Sequence, residues 1–166
     1  MDTVRSGLCV LFVFVCGSKV CHLKIRLVML GKTRRAELRA LVDDYVGRIR
    51  HFAPVEVNEL RNGGDAAALR KLKVDSAATW VLLDASGKQH TSEQFAAWLS
   101  RQRDSGIREI VFLCGDDFGF PDQVARAAQV KLSLSTFTMP HDFARVVLAE
   151  QIYRAFSILS SHPYPK

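Results

Sequence analysis

The stretch Glu109–Leu134, EIVFLCGDDFGFPDQVARAAQVKLSL, decides the fold. Glu109–Cys114 is a short apolar run that ends on Gly115, the pattern of a strand buried on both faces. Pro121 or Asp122 opens a helix that runs to about Gln129, since a proline is tolerated in the first turn, where its missing N–H has no partner to lose. Val130–Leu134 follows as a second strand. A strand, a helix and a strand in this order argue for a parallel sheet.

The same alternation extends outward in both directions. Upstream, Lys24–Leu30 (KIRLVML) predicts a short apolar strand that ends at Gly31. Thr33–Phe52 carries Leu38, Leu41, Val42, Tyr45 and Ile49 at helical spacing, and Pro54 stops that helix. Val55–Leu60 alternates like a strand, and Asn62-Gly63-Gly64 reads as a turn. Asp65–Ser76 reads as a basic helix with Arg70, Lys71 and Lys73. Thr79–Leu83 is a buried strand followed by the bend Asp84-Ala85-Ser86-Gly87, and Ser92–Arg103 is a helix with Ser92 as its cap. Downstream, Pro140 or His141 opens a last helix to about Leu159, with Phe143, Val146, Val147, Ile152, Phe156 and Leu159 as its apolar stripe. The expectation is one α/β domain over residues 23–166, a parallel sheet with helices on both faces.

Composition agrees with a folded domain and points to a polyanionic partner. Of 166 residues, 48% are hydrophobic and 24% charged, which excludes a disordered chain. The net charge of +6 favours a polyanionic partner, nucleic acid being the usual one, with an ordinary basic soluble enzyme as the alternative. Only Cys114 lies in the body of the chain, which reads as a reduced, cytoplasmic protein. Cys9, Cys16, Cys21 and His22 match no compact zinc motif, so no metal is expected. Met1–His22 imitates a secretory signal, with Arg5 before the apolar run Leu8–Val15. That run is too short to span a bilayer as a helix and no Ala-x-Ala site follows. It is expected to be an extension or misassigned start outside the fold, with export as the alternative.

In an open parallel sheet, ligands bind beyond the carboxyl ends of the strands. Three segments qualify: Leu83–Gly87, Cys114–Gly119 and Leu134–Pro140. No Gly-x-Gly-x-x-Gly fingerprint or Walker loop is present, which weakens dinucleotide and nucleoside-triphosphate readings. In the last helix, Glu150 precedes Arg154 by four residues, the favourable order for an ion pair, and without other context this is a solvated surface pair. His141 alone reads as a helix-start residue. The tail, Ser160–Lys166, carries His162, Tyr164 and Lys166 and either frays or reaches into a neighbouring site.

Leu132–Lys166, LSLSTFTMPHDFARVVLAEQIYRAFSILSSHPYPK, resembles the C-terminal signature of the RlmH (YbeA) family, the large-subunit ribosomal RNA pseudouridine N3-methyltransferases of the SPOUT class. The resemblance lies in Leu-Ser-Leu-Ser with a following Pro-His, in Arg-Val-Val-Leu-Ala-Glu-Gln-Ile-Tyr-Arg-Ala, and in the terminal His-Pro-Tyr, with Lys24–Lys32 similar to the family's start. It implies an α/β domain with a C-terminal trefoil knot, a homodimer, and S-adenosyl-L-methionine as methyl donor. By resemblance, Leu83, Gly115 and the run Leu134, Ser135, Thr136, Phe137, Thr138 and Met139 contact the donor. His141, Arg145, Glu150, Arg154 and Tyr164 face a catalytic groove where one subunit's tail meets the other's cofactor. Arg34, Arg35 and the basic helix are candidates for ribosomal RNA phosphates.

Two departures from the family pattern stand out. The family's Gly-Gly-x-x-Gly is here Gly115-Asp116-Asp117-Phe118-Gly119, and its Tyr-His is here Tyr164-Pro165. The first sets a carboxylate at the donor site, and the second removes an imidazole near the acceptor base. They keep open a second reading, a catalytically impaired dimeric relative that binds ribosomal RNA without methyl transfer.

Overall fold

A computed structural model describes residues 23–60, 69, 71–72, 74–116 and 119–164. The extension 1–22, the turn at 62–64, Arg70, Lys73, Asp117 and Pro165 lie outside the described residues. The elements are β1 (Lys24–Leu30), α1 (Ala36–Ile49), β2 (Val55–Leu60), β3 (Thr79–Lys88), α2 (Ser92–Asp104), β4 (Glu109–Cys114), α3 (Asp122–Ala127), β5 (Val130–Leu132) and α4 (His141–Leu159).

The five strands form one sheet in the order β2-β1-β4-β3-β5, and every pairing is parallel. Pleating divides the core between the two faces. Ile25, Leu27, Met29, Ile110, Phe112 and Cys114 point to α1, α2 and α4. Val28, Leu30, Val111 and Leu113 point to Leu69, Phe120 and Val124. β4 is buried along its whole length, as its unbroken apolar run requires of a central parallel strand.

Several boundaries differ from the sequence expectation, each for a local reason. β3 does not end at Leu83: it runs through the expected bend to Lys88, which pairs with Leu132 after a register shift. Gly87 permits this, because a Cβ there would sit 2.7 Å from the Leu132 backbone. β5 is correspondingly short and stops at Leu132. Thr91, not Ser92, caps α2: its side chain accepts the Gln94 N–H while Gln94 Oε1 accepts the Thr91 N–H, a reciprocal capping box. On α1, Leu41 is exposed, and Leu38, Val42, Val46 and Ile49 form the buried stripe. On α4, Phe143 turns outward, and Leu148, Ala149, Ile152 and Phe156 pack inward beside Arg145. Residues 71–72 and 74–76 are turns or irregular, so the expected basic helix does not reach Ser76.

The amino-terminal edge of the sheet is held by a buried ion pair. Arg26 Nε donates to Glu109 Oε1 at 2.8 Å between β1 and β4, both side chains at most 5% exposed. Asn58 Oδ1 and Glu56 take Nη1 of Arg26, and the Asp75 N–H donates to Glu109 Oε2. Removing one partner strands the other charge in a medium that cannot hydrate it. Glu109→Gln is therefore expected to lower unfolding free energy by about 3 kcal/mol in urea titration, with Arg26→Met/Glu109→Leu costing less than the single variant. A single-variant loss below about 1 kcal/mol would show that the pair is hydrated.

Candidate functional site

All five strands point their carboxyl ends the same way, so the carboxyl-terminal half of β3 and the segments leaving β4 and β5 gather at one edge. Among the described residues they enclose a pocket of about 230 Å³ lined by Leu83, Asp84, Cys114, Gly115, Leu134, Ser135, Phe137, Thr138, Met139 and His141, among others. Of the expected donor-contacting residues, all but Thr136 are on its wall, and Thr136 is exposed. The wall is largely main chain. A Cβ on Gly115 would lie 2.9 Å from the Gly119 Cα, and Gly119 itself has φ +73°, so the turn after β4 closes only with glycine at both places. The turn after β5 is held by its own serines: Ser133 Oγ donates to the Ser135 carbonyl, and the Phe137 N–H donates to Ser135 Oγ. Peptide groups presented this way can read an adenine edge or a ribose, and the apolar floor of Leu83, Leu132 and Leu134 can take a flat ring.

The residues expected at the catalytic groove divide into three groups. His141 opens α4, lines the pocket, and has Nε2 3.3 Å from Asp142 Oδ1. Arg145 does not face a groove: it is fully buried. Its Nη1 donates to Thr33 Oγ1 and Asp142 Oδ1, both at 3.2 Å, and its Nη2 to the Leu30 carbonyl. Asp142 also accepts the Arg34 N–H at 3.1 Å. Arg145 thus ties the start of α4 to the end of β1, which neighbours β4.

Glu150, Arg154 and Tyr164 form a separate cluster farther along α4. Arg154 Nε and Nη2 donate to Glu150 Oε1 at 2.8 and 2.5 Å, with the two side chains 27% and 17% exposed, so this is not a solvated surface pair. The Arg154 guanidinium lies 4.8 Å from the centroid of the Tyr164 ring. Tyr164 packs edge-on against Tyr153, and its hydroxyl lies 3.4 Å from that of Tyr45. The glutamate's hydrogen bond raises the Arg154 pKa further, which keeps it cationic. Burial, then the Tyr45 hydrogen bond and the Glu150 charge, push the Tyr164 phenol up, so it stays protonated at neutral pH.

Sequence reasoning missed the groups that hold this cluster. Gln151 Nε2 donates to Glu150 Oε2 at 2.7 Å, and Ser92 Oγ donates to Gln151 Oε1 at 2.9 Å, so the amino end of α2 buttresses Glu150. Tyr45 and Arg48 come from α1, and the Arg48 guanidinium sits over both Tyr45 and Tyr153. Helical spacing could have placed Tyr45 on a face, but not opposite α4.

Fold and site together define an open parallel α/β protein with a ligand pocket beyond the ends of three adjacent strands. The family model described as "Predicted SPOUT methyltransferase" matches residues 23–165, and the chain belongs to this family. A protein named ribosomal RNA large subunit methyltransferase H from Geobacter sulfurreducens is 41% identical over 152 residues, covering 86% of this chain and 99% of that one. The protein of the same name from Citrifermentans bemidjiense is 38% identical over 151 residues, covering 86% and 98%. A solved structure titled "a probable methylase family protein" from Haemophilus influenzae Rd KW20 shares the fold at a TM-score of 0.52 and 11% identity, over 89% of this chain and 73% of its own. Among the described residues there is no group of three or more metal-ligating side chains, and no helix is long and apolar enough to cross a membrane.

Cys114 lines the pocket yet is buried, and desolvation pushes its thiol up to about 12. It is expected to stay unmodified by iodoacetamide at pH 8 in the folded protein and to react fully in denaturant, as read by peptide mass mapping. Rapid native labelling would mean that the pocket floor opens to water.

Proposed function

We propose that the chain transfers a methyl group from S-adenosyl-L-methionine to N3 of a pseudouridine in 23S ribosomal RNA, acting as a homodimer in the cytoplasm. Family membership and the two named relatives support a ribosomal RNA methyltransferase. The observation that carries the reading is the single pocket shared by Leu83, Gly115, Leu134, Ser135, Phe137, Thr138 and Met139. The same reading includes the C-terminal trefoil knot that the resemblance implies.

The methyl donor, when bound, supplies an electrophilic methyl on a positively charged sulfur. The acceptor is an imide N3–H, whose lone pair becomes available only as the proton leaves. Arg154 lowers that cost by placing a fixed positive charge beside the developing anion. Glu150 holds two N–H groups of Arg154 and sets its plane, and Gln151 holds Glu150. Tyr164, kept protonated, covers the guanidinium and offers a hydrogen-bond donor. His141 lines the donor pocket, and Arg145 acts indirectly, by fixing where α4 begins. Arg34, Arg35 and Lys71 are exposed and suit phosphate contacts.

Distance supports the dimer. At 1.5 Å per residue, Arg154 lies about 20 Å along α4 from His141, too far to act on a methyl held in the same subunit's pocket. A twofold partner can bring its own Glu150, Arg154 and Tyr164 to that pocket. Leu41, Phe143 and Ile158, each more than 40% exposed on the paired helices α1 and α4, suit burial against a second copy.

Two measurements test this. Truncation after Ser161 should leave S-adenosylmethionine binding intact by calorimetry and abolish methylation of 23S ribosomal RNA; full activity would remove the tail from the mechanism. Gly115→Val and Arg154→Ala should each be inactive alone, the latter by about 100-fold or more in kcat. Mixed dimers of the two should recover about a quarter of wild-type activity, since half of them keep one whole site. No recovery would place the pocket and Arg154 in the same subunit's site.

A further inference from the structure

The chain carries a net charge of +6, yet among the described residues no lysine or arginine lines the pocket. Among the described residues, its charged lining residues are Asp84, within β3, and Asp116, just after β4. The other ionisable groups there are His141 and Cys114, whose thiol is held protonated by burial.

Asp84 is built to stay ionised. Its Oδ1 accepts the N–H and the hydroxyl of Ser86, both at 2.8 Å, and these two hydrogen bonds hold the carboxyl below its ordinary range. Its Oδ2 lies 3.3 Å from Lys131 Nζ, but that lysine is half exposed, and water screens its charge. Asp116 follows Gly115, where the family has a second glycine, and its carbonyl accepts the Gly119 N–H. Both aspartates are half-buried, so a charge in the pocket interacts with them more strongly than it would across water.

We propose that Asp84 and Asp116 form an anionic rim that makes the pocket select the positively charged methyl donor over its neutral demethylated product. This rests on the donor reading above. Transfer of the methyl group leaves its bonding electron pair on sulfur, so the sulfonium becomes an uncharged thioether. The remainder of the molecule is unchanged, and peptide groups that read adenine and ribose hold both forms alike. Apart from the lost methyl itself, charge is the feature by which this pocket can tell the spent molecule from the fresh one. On this account Asp116 strengthens donor binding and is not an obstruction.

The test is calorimetry on the full-length protein with S-adenosylmethionine, S-adenosylhomocysteine and sinefungin, which carries an amine in place of the sulfonium methyl. The wild type should prefer S-adenosylmethionine and sinefungin over S-adenosylhomocysteine by about tenfold or more, with the preference shrinking as salt rises. Asp84→Asn and Asp116→Asn should each weaken the two cationic ligands by about fivefold and leave S-adenosylhomocysteine unchanged, which also certifies that the variants are folded. Equal affinity for all three ligands in the wild type, equal losses for all three in the variants, or tighter S-adenosylmethionine binding by Asp116→Gly would each overturn the proposal while leaving the donor reading intact. No binding of any of the three by the wild type would overturn both.

Discussion

The pocket depends on main chain approaching main chain more closely than side chains allow. At Gly87 the end of β3 lies against the backbone of Leu132, and at Gly115 the turn after β4 folds back on Gly119. Each approach sits at the carboxyl end of a parallel strand, where the sheet hands its chain over to a connection. Parallel pairing aims those ends at one edge, and glycine lets the connections close over it. The side chains around the pocket then orient and charge a shape that the backbone has already made.

α4 connects this shape to the rest of the molecule. Its first turn is tied down by the buried Arg145, which links Thr33, Asp142 and the Leu30 carbonyl. A guanidinium with no exposure and an Nε without a partner among the described residues is costly, and three directed hydrogen bonds offset that cost. What it secures is the angle at which α4 leaves the pocket. Two turns on, the same helix presents Glu150 and Arg154, braced through Gln151 by Ser92 of α2 and flanked by Tyr45 of α1. One rigid helix thus carries a pocket residue at one end and a charged, aromatic cluster toward the other.

Much of the fold was legible in the sequence. Apolar runs such as Lys24–Leu30 and Glu109–Cys114 suit a sheet covered on both faces, and β1 and β4 fall within the expected limits. Element ends were less legible, because they are set by tertiary contact. The bend expected at Asp84–Gly87 is strand only because β5 lies close enough for Lys88 to pair with Leu132. Leu41 and Phe143 have the spacing of core residues but the exposure of surface ones. The site was legible chiefly through the family resemblance, which named Leu83 and Leu134–Met139 as neighbours. Residue chemistry alone made Glu150–Arg154 a surface pair, and the resemblance made Arg145 a groove residue. What reverses those readings is burial against elements 59 to 112 residues away in sequence, as with Ser92 beside Gln151 and Thr33 beside Arg145.

The glycine approaches also limit how the binding site can be remodelled. A cavity walled by side chains is enlarged by trimming them, but where Gly115 meets Gly119 and Leu132 meets Gly87 there is nothing left to trim. Shortening Leu134 or Met139 would widen the mouth and leave these constrictions untouched. Accommodating a bulkier ligand therefore calls for lengthening the connection after β5 by whole residues, an insertion rather than a point substitution.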